Sequence, residues 1–221
     1  YSPKTEDYQP IFRPLFTTSF LNYQFLKASG FFEADQIILT SASSKTAMGL
    51  AYLLNKNKAT DGKKVIGLTS KRNVEFVEKT GWYDEVISYD NFKDIRKNDM
   101  VIVDFAGNAD LLMDLTELLG LKIKFISLIG LTDWKSGKDF KLIPKSKFFF
   151  APDFAKEMFN KYSREEAAKM IAEALAEFIE VASKQMTLEF VTGKGNLKQL
   201  YLQILSGMVD PSVGYLVSLR K

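Results

Sequence analysis

Gln36-Ile-Ile-Leu-Thr40-Ser-Ala-Ser-Ser-Lys45-Thr-Ala-Met-Gly-Leu50-Ala-Tyr-Leu-Leu54 is the stretch that decides how the rest of the chain is read. A short apolar run leads into a row of small residues. Beyond them Ala47, Leu50, Ala51 and Leu54 recur three and four apart. A buried strand, a tight turn and an amphipathic helix produce that pattern. In a Rossmann-type domain this is where pyrophosphate is held. The free N–H groups of the helix's first turn and the helix dipole face the anion, and small residues let the backbone approach it. Ser41, Ser44 and Ala47 stand where such turns carry glycines. With no glycine in the turn, a positive φ at Ser41 is unfavourable. The Ser44 hydroxyl and the Lys45 ammonium offer an anion a hydrogen bond and a charge. A plain N-capped helix packed on a strand would use the same residues, so the turn alone leaves both readings open. A P-loop reading of Ser44-Lys45-Thr46 fails for lack of its two glycines.

Working outward, apolar runs without alternation recur at 36–40, 64–69, 85–88, 100–105, 124–129 and 147–151. Such runs suit strands buried on both faces. Helical spacing falls between them, from Ser44, over 72–79 and over 108–119. This alternation predicts an α/β fold, a Rossmann-type doubly wound parallel sheet in a three-layer α/β/α arrangement. Ser163-Arg-Glu-Glu166 is a capping box that opens a long helix. Then follow a strand over 187–191, a helix over 196–206 and a strand over 215–219. At the other end, 1–14 reads as a polar segment with Pro3, Pro10 and Pro14, followed by a helix over 17–27.

Composition narrows the chemistry. The 221 residues are 46% hydrophobic and 26% charged, which is ordinary for a protein with a real core. There is no cysteine and no histidine. That excludes disulfides, thiolate nucleophiles, iron–sulfur clusters, Cys/His zinc sites and a histidine base. No Asp/Glu cluster suggests Mg²⁺ or Ca²⁺, so no metal is expected. The net charge of +3 comes from scattered lysines, with no block of like charge, so neither nucleic acid nor membrane is an expected partner. The apolar runs are too short to span a bilayer, and nothing at the start reads as a signal peptide. A cytoplasmic location is the expectation. The chain begins at Tyr1 rather than Met.

The end of the second strand sharpens the ligand. An NAD site places Asp or Glu there for the ribose 2′-hydroxyl. Here the residues are Thr69-Ser70-Lys71-Arg72. Two hydroxyls and two cations suit a 2′-phosphate. Cations are mildly unfavourable at a helix N-terminus unless an anion joins them. NADP(H) is therefore the expected cofactor. A methyltransferase would show a Gly-rich first turn and an acidic second-strand end, and neither is present.

The two turns and their order resemble the medium-chain dehydrogenase/reductase (MDR) superfamily, specifically its zinc-independent quinone oxidoreductases. Ile66-Gly-Leu-Thr-Ser-Lys-Arg72, Phe76-Val-Glu-Lys-Thr-Gly81 and Asp84-Glu-Val-Ile-Ser-Tyr89 are similar to that family's second βαβ unit. Val103-Asp-Phe-Ala-Gly107, Ser127-Leu-Ile-Gly130 and 209–219 resemble its later strands and turns. Phe12-Arg-Pro-Leu-Phe-Thr-Thr-Ser-Phe20, the serine-rich turn and Phe148-Phe-Phe-Ala-Pro-Asp153 resemble more closely the bacterial and fungal family DUF2855. The resemblance implies three parts: an N-terminal segment and helix (1–35), a Rossmann NADP-binding domain (36–185) and a C-terminal strand-helix-strand (186–221). It implies remnants of an MDR substrate domain at both ends. Pyrophosphate would sit on Ser43, Ser44, Lys45 and Thr46. Ser70, Lys71 and Arg72 would meet the 2′-phosphate, with Tyr89 on the adenine side. Ala106, Gly107 and Asn108, with Ile129, Gly130 and Leu131, would flank the nicotinamide ribose, and Thr17 or Thr18 would approach the nicotinamide. Full members carry a larger N-terminal substrate domain than the 35 residues found here, so the chain is a fragment or a member without that lid. The implied activity is NADPH-dependent reduction of a quinone or enone, with Tyr8, Tyr23, a lysine or water as proton source and catalytic residues and substrate unassigned. The alternative is a non-catalytic NADP(H)-binding module, a sensor or scaffold. A homodimer through the sixth strand is also implied.

Overall fold

In the computed structural model, residues 3–130 and 143–219 are described. The apolar runs form β1 (Gln36–Leu39), β2 (Lys64–Thr69), β3 (Glu85–Ser88), β4 (Met100–Asp104), β5 (Ile123–Leu128) and β6 (Ser146–Phe148). They make one all-parallel sheet in the order β3-β2-β1-β4-β5-β6. Strand residues alternate between two cores. Ile37, Leu39, Val65, Val101 and Val103 face α1 (Gln9–Ala28), α2 (Lys45–Lys56), α6 (Ala151–Lys161) and α7 (Arg164–Ala182). Ile38, Ile66, Leu68, Ile102, Ile126 and Leu128 face the other way, onto Leu112, Leu115 and Leu119 of α5 (Ala109–Leu119). The central strands β1 and β4 are buried at every position because both of their faces are covered.

Short helices α3 (Lys58–Asp61) and α4 (Val74–Lys79) complete the connections to β2 and β3. A second, two-stranded parallel sheet pairs β7 (Thr187–Thr192) with β8 (Val213–Ser218) across α8 (Lys194–Leu205). It meets the main body where Gly214 lies under Ile11. A Cβ on Gly214 would stand 2.6 Å from Ile11 Cδ1. None of the described helices is long and apolar enough to cross a membrane.

Two boundaries differ from the sequence reading. The helix begins before residue 17, within the segment read as polar: a 3₁₀ helix over Pro3–Tyr8 runs into α1 at Gln9. Pro10 falls in the first turn of α1, where a backbone N–H has no intrahelical acceptor to lose. Phe12 and Phe16 are buried, with ring centroids 5.1 and 4.9 Å from Phe178 of α7, which outweighs the hydrogen bond lost at Pro14. The sixth strand stops at Phe148 instead of reaching Ala151, because Ala151-Pro152 opens α6. Being an edge strand, β6 leaves Phe148 about half exposed.

Candidate functional site

The β1–α2 turn is held in place from every side. Thr40 is fully buried, and its hydroxyl donates to Asp104 Oδ1 at 2.5 Å while accepting the Phe105 N–H at 3.1 Å. Ser41 adopts φ 49, the left-handed conformation that its side chain disfavours. Its N–H donates to the Tyr89 hydroxyl at 2.8 Å. The Ala42 N–H donates to Leu68 C=O at 2.9 Å, and the Tyr83 hydroxyl donates to Ala42 C=O at 2.8 Å. Ser43 Oγ accepts from Asn73 Nδ2 at 3.0 Å and from Thr69 Oγ1 at 3.3 Å. Ser44 caps α2 by accepting the Ala47 N–H at 3.2 Å. These contacts give the turn the shape that glycine would otherwise permit. Among the described residues, the N–H groups of Ser43, Lys45 and Thr46 donate to nothing. Those of Lys45 and Thr46 are two of the donors that any helix leaves over at its start.

Asp104 joins this turn to the next. Its Oδ2 accepts the Gly107 N–H at 2.6 Å, and the Ala106 amide adds a further bond. Burial pushes its carboxyl above the usual carboxylate range, although the bonds from Thr40, Gly107 and Ala106 oppose the rise. Gly107 takes φ 72, and Asn108 caps α5 through the Leu111 N–H at 3.0 Å. From β5, the Ile129 and Gly130 N–H groups reach Asp104 C=O at 2.8 and 3.3 Å. A Cβ on Gly130 would stand 1.7 Å from Phe105 C=O oxygen, so only glycine fits this crossing. Three turns thus converge at the carboxyl ends of β1, β4 and β5, beside the β1/β4 boundary where the strand order reverses. Open α/β sheets bind ligands at this position.

At the end of β2, the Ser70 hydroxyl oxygen is buried and has no partner among the described residues. Lys71 lines an open cleft with Asp90, Asn91 and Asp94. The Arg72 guanidinium donates to Gly207 C=O, and its other terminal nitrogen lies 3.3 Å from Met208 Sδ. Lys45 Nζ donates to Val213 C=O at 2.9 Å and reaches Pro211 C=O at 3.5 Å. Burial holds the Lys45 ammonium below the usual lysine range, while Asp210 pulls in the opposite direction.

The sequence-derived residues therefore fall into groups. Ser43, Ser44 and Thr46 share the first turn, Ala106, Gly107, Ile129 and Gly130 share the crossing beside it, and Tyr89 touches the turn directly. Lys45 and Arg72 are engaged by the segment between α8 and β8. Leu131 lies outside the described residues. Thr17 and Thr18 bond back to Arg13 and Pro14 carbonyls on their own helix. The α1 hydroxyl that reaches α2 is Ser19, which donates to Thr46 C=O at 2.7 Å. Tyr23 is fixed at the opposite end of the sheet, donating to Asp61 at 2.6 Å, and Tyr8 donates to Met186 C=O at 2.9 Å. Neither hydroxyl is free to deliver a proton at the crevice. Thr40, Tyr83, Asn73 and Asp104 were not read from the sequence as site residues. Only Asp104, an acid closing an apolar strand, carried a visible signal.

A six-stranded parallel sheet in this order, with helices on both faces and turns crowding its switch point, defines a Rossmann-like fold. Solved structures share it. The chain matches CurA from Vibrio vulnificus in complex with NADPH at TM-score 0.57 and 15% identity, over 93% of this chain and 62% of that one. Escherichia coli K-12 YhdH with bound NADPH matches at TM-score 0.58 and 15% identity, over 92% and 62%. A putative NADPH:quinone reductase from Mesorhizobium loti matches at TM-score 0.59 and 12% identity, over 92% and 58%. This chain spans about 60% of the length of these structures. No curated protein matches by sequence. Residues 1–210 match the family described as "Protein of unknown function (DUF2855)", and the chain belongs to that family.

Proposed function

We propose that this chain binds NADP(H) at the convergence of the β1, β2, β4 and β5 turns. One observation carries the reading. Ser70 presents a buried hydroxyl oxygen without a partner among the described residues, and Lys71 and Arg72 follow it where an NAD site would have an acid. A buried polar atom left unpaired costs free energy, and a phosphate oxygen would relieve it. In this reading Ser43, Ser44, Lys45 and Thr46 hold the pyrophosphate, and Ser70, Lys71 and Arg72 hold the 2′-phosphate. Tyr89 borders the adenine side. Ala106, Gly107, Ile129 and Gly130 flank the nicotinamide ribose, with Thr18 above it.

When bound, the cofactor supplies a hydride, which a medium-chain reductase passes to a quinone or enone. The residues of this chain bind and orient it. The unpaired N–H groups of α2 face its anion, and the Thr40–Asp104 pair keeps the two flanking turns in register. β7, α8 and β8 stand, in this reading, for the C-terminal part of a substrate domain, and the exposed β6 edge is the dimer candidate. A second reading, a non-catalytic NADP(H)-binding module, has its own support. The hydroxyls of Tyr8, Tyr23 and Tyr83 donate to Met186 C=O, Asp61 and Ala42 C=O, so none of these three has a proton free for the crevice.

Arg72→Ala separates the cofactors. It should weaken NADPH binding by about 10- to 100-fold, the effect of losing a charge-assisted bond, without weakening NADH binding. Equal losses for both would remove the 2′-phosphate assignment. Oxidation of NADPH on addition of a simple quinone separates reductase from module.

A further inference from the structure

The two cations assigned to the cofactor's phosphates come from different turns, yet both are held by one short segment. Arg72 at the end of β2 donates to Gly207 C=O and touches Met208 Sδ. Lys45 at the start of α2 donates to Val213 C=O and reaches Pro211 C=O. All four partners lie in the connection from α8 to the first residue of β8. That connection has a defined shape of its own. Gly207 takes φ 66 just past the end of α8. The Asp210 carboxylate accepts the Ser212 N–H at 2.8 Å and the Ser212 hydroxyl at 2.6 Å. The Thr187 N–H donates to Ser212 C=O at 3.0 Å, which ties the segment to β7.

The carbonyls are neutral acceptors. They solvate a cation, but a phosphate oxygen binds it more strongly because both partners are then charged. The outward side of the segment adds little hold, since Leu205 and Met208 are 65% and 69% exposed. Asp210 places its negative charge near Lys45, where it opposes the approach of an anion. The segment therefore occupies the donors that a dinucleotide needs, with weaker acceptors than the dinucleotide offers.

We propose that the α8–β8 connection, residues 206–213, is a strap that competes with the cofactor's phosphates for Lys45 and Arg72, so that cofactor binding and strap release are linked. The proposal rests on the NADP(H) reading and adds its regulation. A ligand that binds only the released state has its affinity reduced by the fraction of chains already released. A change that loosens the strap without removing a phosphate contact therefore tightens cofactor binding. In turn, the cofactor frees the β7–α8–β8 unit from the turns of the main sheet.

Hydrogen exchange on the full chain, read by mass spectrometry, tests both halves. Without cofactor, Arg72→Ala and Lys45→Met should each speed exchange at 206–213 by about tenfold and leave β1, β4 and β5 unchanged. With wild type, NADPH should slow exchange at 43–46 and speed it at 206–213. Asp210 is exposed and belongs to no part of the cofactor site, so Asp210→Ala should fold normally and bind NADPH about five- to tenfold more tightly. Protection of both segments by NADPH, with weaker binding to Asp210→Ala, would overturn the strap and make the segment part of the site. Absence of NADPH binding to either protein would overturn the cofactor reading and the strap with it. That outcome shows no protection at 43–46, which distinguishes it from the first.

Discussion

Gly130→Ala should destabilise the protein far more than a methyl group ordinarily does. The added Cβ would stand 1.7 Å from the Phe105 carbonyl oxygen, 2.4 Å from its carbon and 3.1 Å from the Ala106 nitrogen. Carbon and carbonyl oxygen ordinarily approach to about 3.3 Å, so the two turns must separate by more than about 1.5 Å. The opposing atoms are backbone, so no side-chain rotation relieves the clash. Across this crossing Asp104 C=O accepts the Ile129 and Gly130 N–H groups, and separating the two turns breaks those bonds. Overpacking alone costs about 1–3 kcal/mol, and the lost bonds raise the total to about 3 kcal/mol or more. For a chain of this length that lowers Tm by about 6–12 °C. Gly62→Ala is the control. Gly62 takes φ 65 with nothing within 4 Å of a Cβ, so the substitution carries backbone strain without a clash. It should cost about 1 kcal/mol. Thermal unfolding followed by circular dichroism compares the two. Equal shifts, or a Gly130→Ala shift under about 2 °C, would refute the close crossing of the β4 and β5 ends.

Two further outcomes follow from the turn itself. The Asp104 carboxyl is raised in the fold, so the folded state binds its proton more readily than the unfolded state. Stability should then fall as pH rises from the ordinary carboxylate value of 3.8 through the raised value, and level off above it. Asp104→Asn removes that slope, and urea unfolding across the acid range would show it. A slope that survives the substitution belongs to another group. Tyr83→Phe leaves the Ala42 carbonyl without its hydroxyl donor and should cost about 1–3 kcal/mol in the same assay, while an unchanged midpoint would mean that the carbonyl finds water instead.

The sheet was legible in the sequence because strand interiors covered on both faces are apolar without alternation, as Ile37 to Leu39 of β1 and Met100 to Val103 of β4 are. The helix before β1 was misjudged at its start. Residues 1–14 read only as a polar segment with three prolines, yet Pro10 falls where no N–H bond is lost, and the burial of Phe12 and Phe16 decides the rest. The turn was located correctly, and a positive φ at Ser41 was judged unfavourable. The chain adopts it nonetheless, with the Ser41 N–H anchored to Tyr89, 48 residues away. The engagement of Lys45 and Arg72 could not be read. Their partners lie 135 or more residues distant and are mostly backbone carbonyls, which leave no trace in residue type. A lysine and an arginine beside a phosphate turn look the same in sequence whether they face solvent, an anion or the chain itself.

The central claim is that the convergent turns bind a dinucleotide carrying a 2′-phosphate. Calorimetric titration of the chain with NADPH and with NADH tests it most directly. The account predicts saturable one-to-one binding of NADPH, at least about tenfold tighter than NADH, from one charge-assisted contact set. Equal affinity for the two, or heat from neither, would contradict it.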